Sequence, residues 1–364
     1  MLWYGLIPIA GAIFNQRKWR SFRRRFDDLR LNPILDYRVY RQLEREGEEF
    51  RFIGGFESVT DGKTLWVQGE NLTIPVSLAD AQTFLLPMRE GEGEPDAFDS
   101  GDEVLEQINW NRVSTMTERA KVFVGGSLVF QDERWIFVST KDAPLLVIFF
   151  DGPDRSLANR TIRSGCRRYE YLNRATPYSL AVGALCLILI ALSFLYRPSF
   201  RLTVIASLVA LFIPFLPIIP PGILFTTLYQ RFSWQARAYR AYSALSRLPL
   251  RYSKLLPNGE TYGMVRCDST LAEIQEGKIP LIIPDKLKNR NTCWYVFGAI
   301  KEGQQMPVEP EDPFATYGVL AGTPESLSKR YATNARILEA VAWIILFLGI
   351  GLNLFFIGLI LSLL

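Results

Sequence analysis

The residues of this 364-residue chain whose types could carry chemistry are the carboxylates Asp151, Asp154 and Glu325 and the cysteines Cys166, Cys186, Cys267 and Cys293. Acids close to a membrane could act on a lipid headgroup as general acid and base. The cysteines show neither paired metal-ligand spacing nor the pattern of an oxidising compartment, which fits a reducing cytoplasm. The chain has no histidine. Ser-His-Asp and Cys-His nucleophile systems, histidine-ligated zinc and imidazole relays are thereby excluded. Neither a phosphate-cradling GxxxxGKS/T loop nor a GxGxxG after a strand occurs. Asp99, Asp102 and Glu103 lack the EF-hand spacing. No catalytic, cofactor-binding or metal site is assigned, and the reading argues against an enzyme.

The elements around these residues read as membrane segments alternating with soluble ones. Residues 178–196 are uncharged and about one bilayer long. Residues 339–364 are equally apolar, with Gly349, Gly351 and Asn353 as bending points. Residues 202–228 hold Pro214, Pro217, Pro220 and Pro221, which predict a broken crossing. Residues 1–15 read as a short anchor. Between them lie a basic juxtamembrane helix at 16–35, a β-rich domain at 36–177, a tight hairpin at 197–201, a basic amphipathic helix at 229–247 and a second β-rich domain at 248–338. The expected fold class is therefore a multi-pass α-helical membrane protein with two small cytoplasmic β-rich domains, each a partly open sheet or barrel, in tandem repeat. Arginine and lysine crowd one side of the four segments, which predicts a bacterial cytoplasmic (inner) membrane protein with both domains in the cytoplasm.

The net charge of +4 is concentrated beside the apolar segments. Arg17, Lys18, Arg20, Arg23, Arg24, Arg25, Arg231, Arg237 and Arg240 are the candidate contacts to anionic lipid headgroups, each contributing on the order of 1 kcal/mol near such a surface. Alternatively they serve only to set topology. Aromatic residues interleaved with arginine in 230–247 favour lipid over nucleic acid as the partner.

In the first soluble stretch, short β-type runs at 49–59, 64–69, 72–76, 120–130, 134–139 and 145–150 predict strands, with turns at 60–63 (TDGK) and 131–133 (QDE). Gly54-Gly55 and Gly125-Gly126 mark bulges or close backbone approach. Residues 89–107 are acidic, with glycine and proline, and predict a solvated loop. In the second stretch, strands are expected at 262–267, 278–283, 292–300 and 317–320. GPDRSLANR and GTPESLSKR close the two stretches and share Gly152, Ser156, Leu157 and Arg160 with Gly322, Ser326, Leu327 and Arg330. Thr323 as cap, Pro324 at the first position and Glu325 beside the dipole make the second copy a helix start.

The run GGSLVFQDERWIFVS, then FFDGPDRSLANR, then a charged helix leading into an apolar segment resembles the side domain of the GIDE/MULAN type of membrane proteins, over residues 36–196 and more faintly 250–360. No Cys/His RING set follows, so the resemblance implies a membrane-tethered interaction module and not a ubiquitin ligase. The expected function is a non-enzymatic, membrane-tethered scaffold or regulatory protein whose β domains bind a protein partner, the membrane surface or each other, with a homo-oligomer as a further expected assembly. The alternative is a transporter or channel component using the proline-broken segment, with Asn353, Ser193, Ser207 and Thr203 as its polar candidates.

Overall fold

The computed structural model describes residues 2–86, 105–109, 120–167, 175–212, 215–216, 219–251, 260–267, 282, 293–301, 303 and 306–363. Five residues in π-helical form (Leu2–Leu6) lead into α1 (Ile7–Leu29). The short α2 (Tyr37–Gln42) is capped by Asp36, whose carboxylate accepts the Val39 N–H at 2.7 Å. Then come β1 (Glu49–Thr60), β2 (Thr64–Gln68), β3 (Thr73–Ser77), β4 (Gln82–Leu85), β5 (Glu106–Gln107), β6 (Lys121–Gln131), β7 (Arg134–Val138), β8 (Leu146–Phe150) and α3 (Asp154–Arg167). The helices α4 (Ala175–Phe194), α5 (Arg201–Leu211) and α6 (Gly222–Arg251) precede β9 (Tyr262–Cys267), β10 (Trp294–Ala299), β11 (Gly318–Ala321) and α7 (Pro324–Leu363).

The chain divides into two compact units. One, of residues 22–168 with 241–331, holds all the strands. Its eight-stranded sheet runs β1-β2-β3-β7-β6-β8-β4-β5, and a further pairing of β1 with β6 joins the first five strands into a ring. Four contacts of that ring are antiparallel and one, β3 with β7 at Val76 and Phe137, is parallel. This is the connectivity of five-stranded OB-type barrels, and fold alone does not assign function. The strand β1 can serve two neighbours because its first half (Glu49–Gly55) pairs β6 and its second half (Gly55–Thr60) pairs β2, with a register shift between Phe56 and Ser58. A Cβ at Gly54 would collide with the Gln68 carbonyl oxygen, and one at Gly126 would lie 2.6 Å from Leu145 Cδ1. Close approach is therefore what these glycines serve, and the bulge lies two residues further on.

Both hairpin turns adopt the left-handed conformation expected from their residues. Asp61 and Gly62 have φ of 52° and 62°, and Asp132 and Glu133 have 50° and 62°. The barrel core is built from alternate residues such as Phe50, Phe52, Leu65, Val67, Ile74, Val76, Val122, Val124 and Phe137. The outer face of β6 and β8 is also covered, so β8 is buried along its whole length. Phe26 of α1 meets Phe123 edge-on at 5.7 Å, Phe22 meets Phe84 at 4.4 Å, and Phe314 lies 5.2 Å from Phe123.

Strands β9, β10 and β11 form a three-stranded antiparallel sheet in the order β11-β10-β9. The expected strand at 278–283 lies outside the described residues except Ile282, whose N–H donates to the Val319 carbonyl at 3.0 Å. The two soluble stretches belong to one unit and, among the described residues, share no equivalent sheet. What they do share is a corner. Gly152 (φ +95°) and Gly322 (φ +119°) each turn the chain from a strand into a helix.

The other unit comprises residues 1–21, 169–240 and 332–364 and is helical and apolar. Asn353 is buried, and its amide donates to the carbonyls of Leu216 (2.6 Å) and Ile219 (3.0 Å) beside the break that separates α5 from α6. The Ser193 and Ser207 hydroxyls bond back to carbonyls four residues earlier, each at 2.8 Å.

Several expectations are corrected here. The multi-pass architecture of four crossings is not supported. Among the described residues only Ala175–Phe194 and Pro324–Leu359 are long and apolar enough to cross a membrane. The first apolar run continues without interruption into the basic residues of α1, and the proline-rich run yields in α5 only 11 helical residues. The basic helix expected at 229–247 is the continuation of one helix from Gly222 to Arg251. The first β-rich stretch is not a small sheet but contributes all eight strands of a large mixed one, including β4 and β5, which carry no sequence pattern of their own. The localisation in a bacterial inner membrane with cytoplasmic domains depended on four crossings and falls with them.

Arg51 and Asp312 form a buried ion pair within the strand-bearing unit, each side chain 1% exposed. Replacing Asp312 by alanine is expected to destabilise the protein by about 3–5 kcal/mol, because a charge is left buried alone. Arg51→Met combined with Asp312→Leu should cost much less than the single change, as read by chemical denaturation. For Asn353→Leu, thermal unfolding in detergent should show a loss of about 1–3 kcal/mol from the two abandoned carbonyls.

Candidate functional site

A cleft of about 750 Å³ opens on the strand-bearing unit. Its floor is the stretch Arg51–Gly55 of β1. One wall is the segment Ile34–Tyr37, and the opposite wall is the turn Gln68–Leu72 after β2. Lys121 at the start of β6, Asp154 at the start of α3 and the loop residues Glu311, Pro313 and Phe314 complete it.

Local sequence explains each wall. Pro33 and Asp36 bracket an extended segment that runs parallel to β1, with Ile34 opposite Arg51. The Leu35 N–H donates to the Arg51 carbonyl at 2.9 Å, and the Arg51 N–H donates to the Pro33 carbonyl at 3.1 Å. The Gln68–Leu72 wall is a tight turn closed by the Gly69 N–H to the Leu72 carbonyl at 2.8 Å, with Phe52 packed so closely that Gly69 has no room for a side chain. The loop at 309–314 is fixed from three directions. Asp312 pairs with Arg51, whose Nε also donates to the Asn32 carbonyl at 2.7 Å. The Arg51 guanidinium lies 4.9 Å from the centre of the Phe314 ring, a cation–π geometry. Arg155 pairs with Glu309 and donates to the Pro310 carbonyl at 3.2 Å. Partial burial draws the Arg155 guanidinium below its ordinary value, and nearby Asp312 acts in the opposite direction.

The rim is acidic. Among the lining residues four carboxylates, Asp36, Glu70, Asp154 and Glu311, face two cations, Arg51 and Lys121. Asp154 is matched by Lys121 at 2.8 Å and Arg51 by Asp312. Asp36, Glu70 and Glu311, all on the rim, therefore carry the excess negative charge.

The residues singled out in the sequence have diverse placements. Arg17, Lys18, Arg20, Arg24 and Arg231 are exposed, and Arg23 is half-buried against Gly165. Arg25 is an internal strut: it pairs with Glu49 at 2.7 Å and donates to the Pro144 carbonyl at 3.0 Å. Arg237 bonds Ser233 at 2.9 Å and Arg240 pairs with Glu339. In the repeated motif, Arg160 donates to the Asp151 carbonyl and Ser156 to the Pro153 carbonyl at 2.7 Å, while Leu157 is fully buried. In the second copy the Ser326 hydroxyl meets Thr323 Oγ1 at 2.6 Å, Leu327 packs beside Gly322, and Arg330 is exposed. Both sets are helix starts. Of the acids considered for chemistry, Asp151 accepts the Gly152 N–H at 2.8 Å and Asp154 is held by Lys121. Asp99, Asp102 and Glu103, and most of the acidic stretch 89–107, lie outside the described residues.

The sequence does not disclose the cleft. Its one local sign is Gly54-Gly55, which reads as close backbone approach and lies in the floor. The rim carboxylates come from residues as far apart as 36 and 311, so no spacing joins them.

Burial alone would raise the Glu49 carboxyl, but hydrogen bonds and charge from Arg25, with a bond from Asn32 at 3.1 Å, hold it below the ordinary glutamate range. A depressed folded value contributes stability above the ordinary range, and this is lost as pH falls through the lowered value. Glu49→Gln should thus cost about 1 kcal/mol at neutral pH, small because the pair is partly exposed. Wild type and variant should converge in acid, as read by urea midpoints across a pH series.

No protein-family description, no curated protein and no solved structure matches this chain.

Proposed function

We propose that this chain is a non-enzymatic, membrane-tethered interaction protein whose strand-bearing unit binds a partner protein in the cleft floored by β1. The observation that carries this reading is the cleft itself: a concavity of about 750 Å³ floored by backbone, with an acidic rim and with the loop that completes it fixed by a buried ion pair. Such a surface offers hydrogen bonds and charge in fixed positions, which is what recognition of a protein segment requires. The lack of histidine leaves little acid/base equipment near neutral pH.

Tethering draws on the two long apolar helices. Only 17% of the most apolar window in each is buried inside the protein, so large leucine, isoleucine and phenylalanine side chains remain to be covered by something apolar. Exposed Arg17, Arg20, Arg24 and Arg231 would favour anionic headgroups, at about 1 kcal/mol each near the surface. The resemblance of residues 36–196 to the side domain of the GIDE/MULAN type supports the same reading. Transport through the broken segment draws less support, because the Leu216 and Ile219 carbonyls beside the break accept bonds from Asn353.

A photo-crosslinking residue at Asn71, on the rim, should capture a defined protein from native membranes, and one at the exposed Lys141 should not. Capture should fall when Glu70 is replaced by lysine. Equal capture at both positions, or none at Asn71, would count against the proposal.

A further inference from the structure

We infer that the partner is recognised by strand addition: an extended, basic peptide segment pairs with the free backbone edge of β1 at Ile53. This rests on the proposed function and specifies its ligand.

Alternate residues of a strand direct their backbone groups to opposite edges. The Phe56 N–H donates to Ala120 at 2.9 Å, and Glu48 accepts from Leu128 at 3.1 Å, so the even-numbered residues of β1 face β6. The odd-numbered residues face the other way. Arg51 spends both its N–H and its carbonyl on the segment at Pro33 and Leu35, and Gly55 lies opposite Gln68 of β2. Ile53 lies between these two neighbours, its backbone groups directed into the cleft, and no described residue is registered against it on that edge. The interval from Arg51 to Gly55 is about 13 Å at the usual rise per residue, room for roughly three residues of an added strand.

Strand addition takes its affinity from main-chain hydrogen bonds and its specificity from side chains. The rim sets that specificity. Asp36, Glu70 and Glu311 stand around the opening with their charge unbalanced by any cation lining the cleft, so lysine or arginine flanking the paired residues would be favoured. An edge left open inside a cleft is also shielded from the flat pairing that leads to aggregation.

The test uses the full chain in detergent and a fluorescent octapeptide of alternating lysine and threonine. Binding should be saturable, and the Ile53 amide, fast to exchange in the free protein, should become protected. The same peptide with N-methylated backbone amides should bind at least tenfold more weakly, as should the parent peptide to the Glu70→Lys, Glu311→Lys double variant, a change of about 1.4 kcal/mol. Three results would overturn the proposal: an Ile53 amide already protected in the free chain, which would mean that a segment of this chain fills the gap; equal binding of a glutamate–threonine peptide; or binding that leaves Ile53 exchange unchanged. If crosslinking at Asn71 still captures a partner in any of these cases, the interaction reading survives and strand addition alone fails.

Discussion

The buried pair between Arg51 and Asp312 is the constraint on which the arrangement of the strand-bearing unit depends. An ion pair removed from water gains little net energy, because desolvation offsets much of the attraction, but it strongly penalises any arrangement that separates the partners. Here the partners are 261 residues apart. The pair therefore dictates that the loop at 309–314 lies on the outer face of β1 and β6, where Phe314 completes an aromatic layer with Phe123 and Phe26. The side of the cleft lined by Glu311, Pro313 and Phe314 exists because that loop is held there.

A second constraint comes from the barrel. Closing five strands into a ring requires β1 to leave one neighbour and join another along its length. Over Arg51–Gly55 the strand still pairs β6 on one edge, while on the other edge β2 is not yet in register before Gly55, so that second edge has a gap. The segment at 33–35 fills one end of that gap and β2 begins at the other. The cleft is thus a geometric by-product of closure, lined by backbone because the gap lies in the plane of the sheet.

Much of the first stretch is legible in the sequence. Its six expected strands fall within two residues of β1, β2, β3, β6, β7 and β8, because alternation and Asp-containing turns are local signals. β4 and β5 escape because four and two residues are too few to show a period, and because β4 pairs with the distant β8 and β5 with β4. The membrane reading goes astray for a related reason. Apolar composition predicts separate spans, but whether a helix stops between an apolar and a basic run depends on capping, and nothing ends α1 between Phe14 and Arg17. The joining of both soluble stretches in one unit is invisible in the sequence, since Asp312 looks like any loop acid until Arg51 is beside it.

The glycine corners at Gly152 and Gly322 have a mechanical implication. Each lies in the turn of two or three residues between a strand and a helix, with a positive φ that glycine adopts without strain. At Gly322 the nearest atoms to an added Cβ, those of Leu327, lie 3.5 Å away or more, so there is space for a side chain but φ of +119° strains one. A substitution there would therefore act through the torsions of the turn and not through crowding.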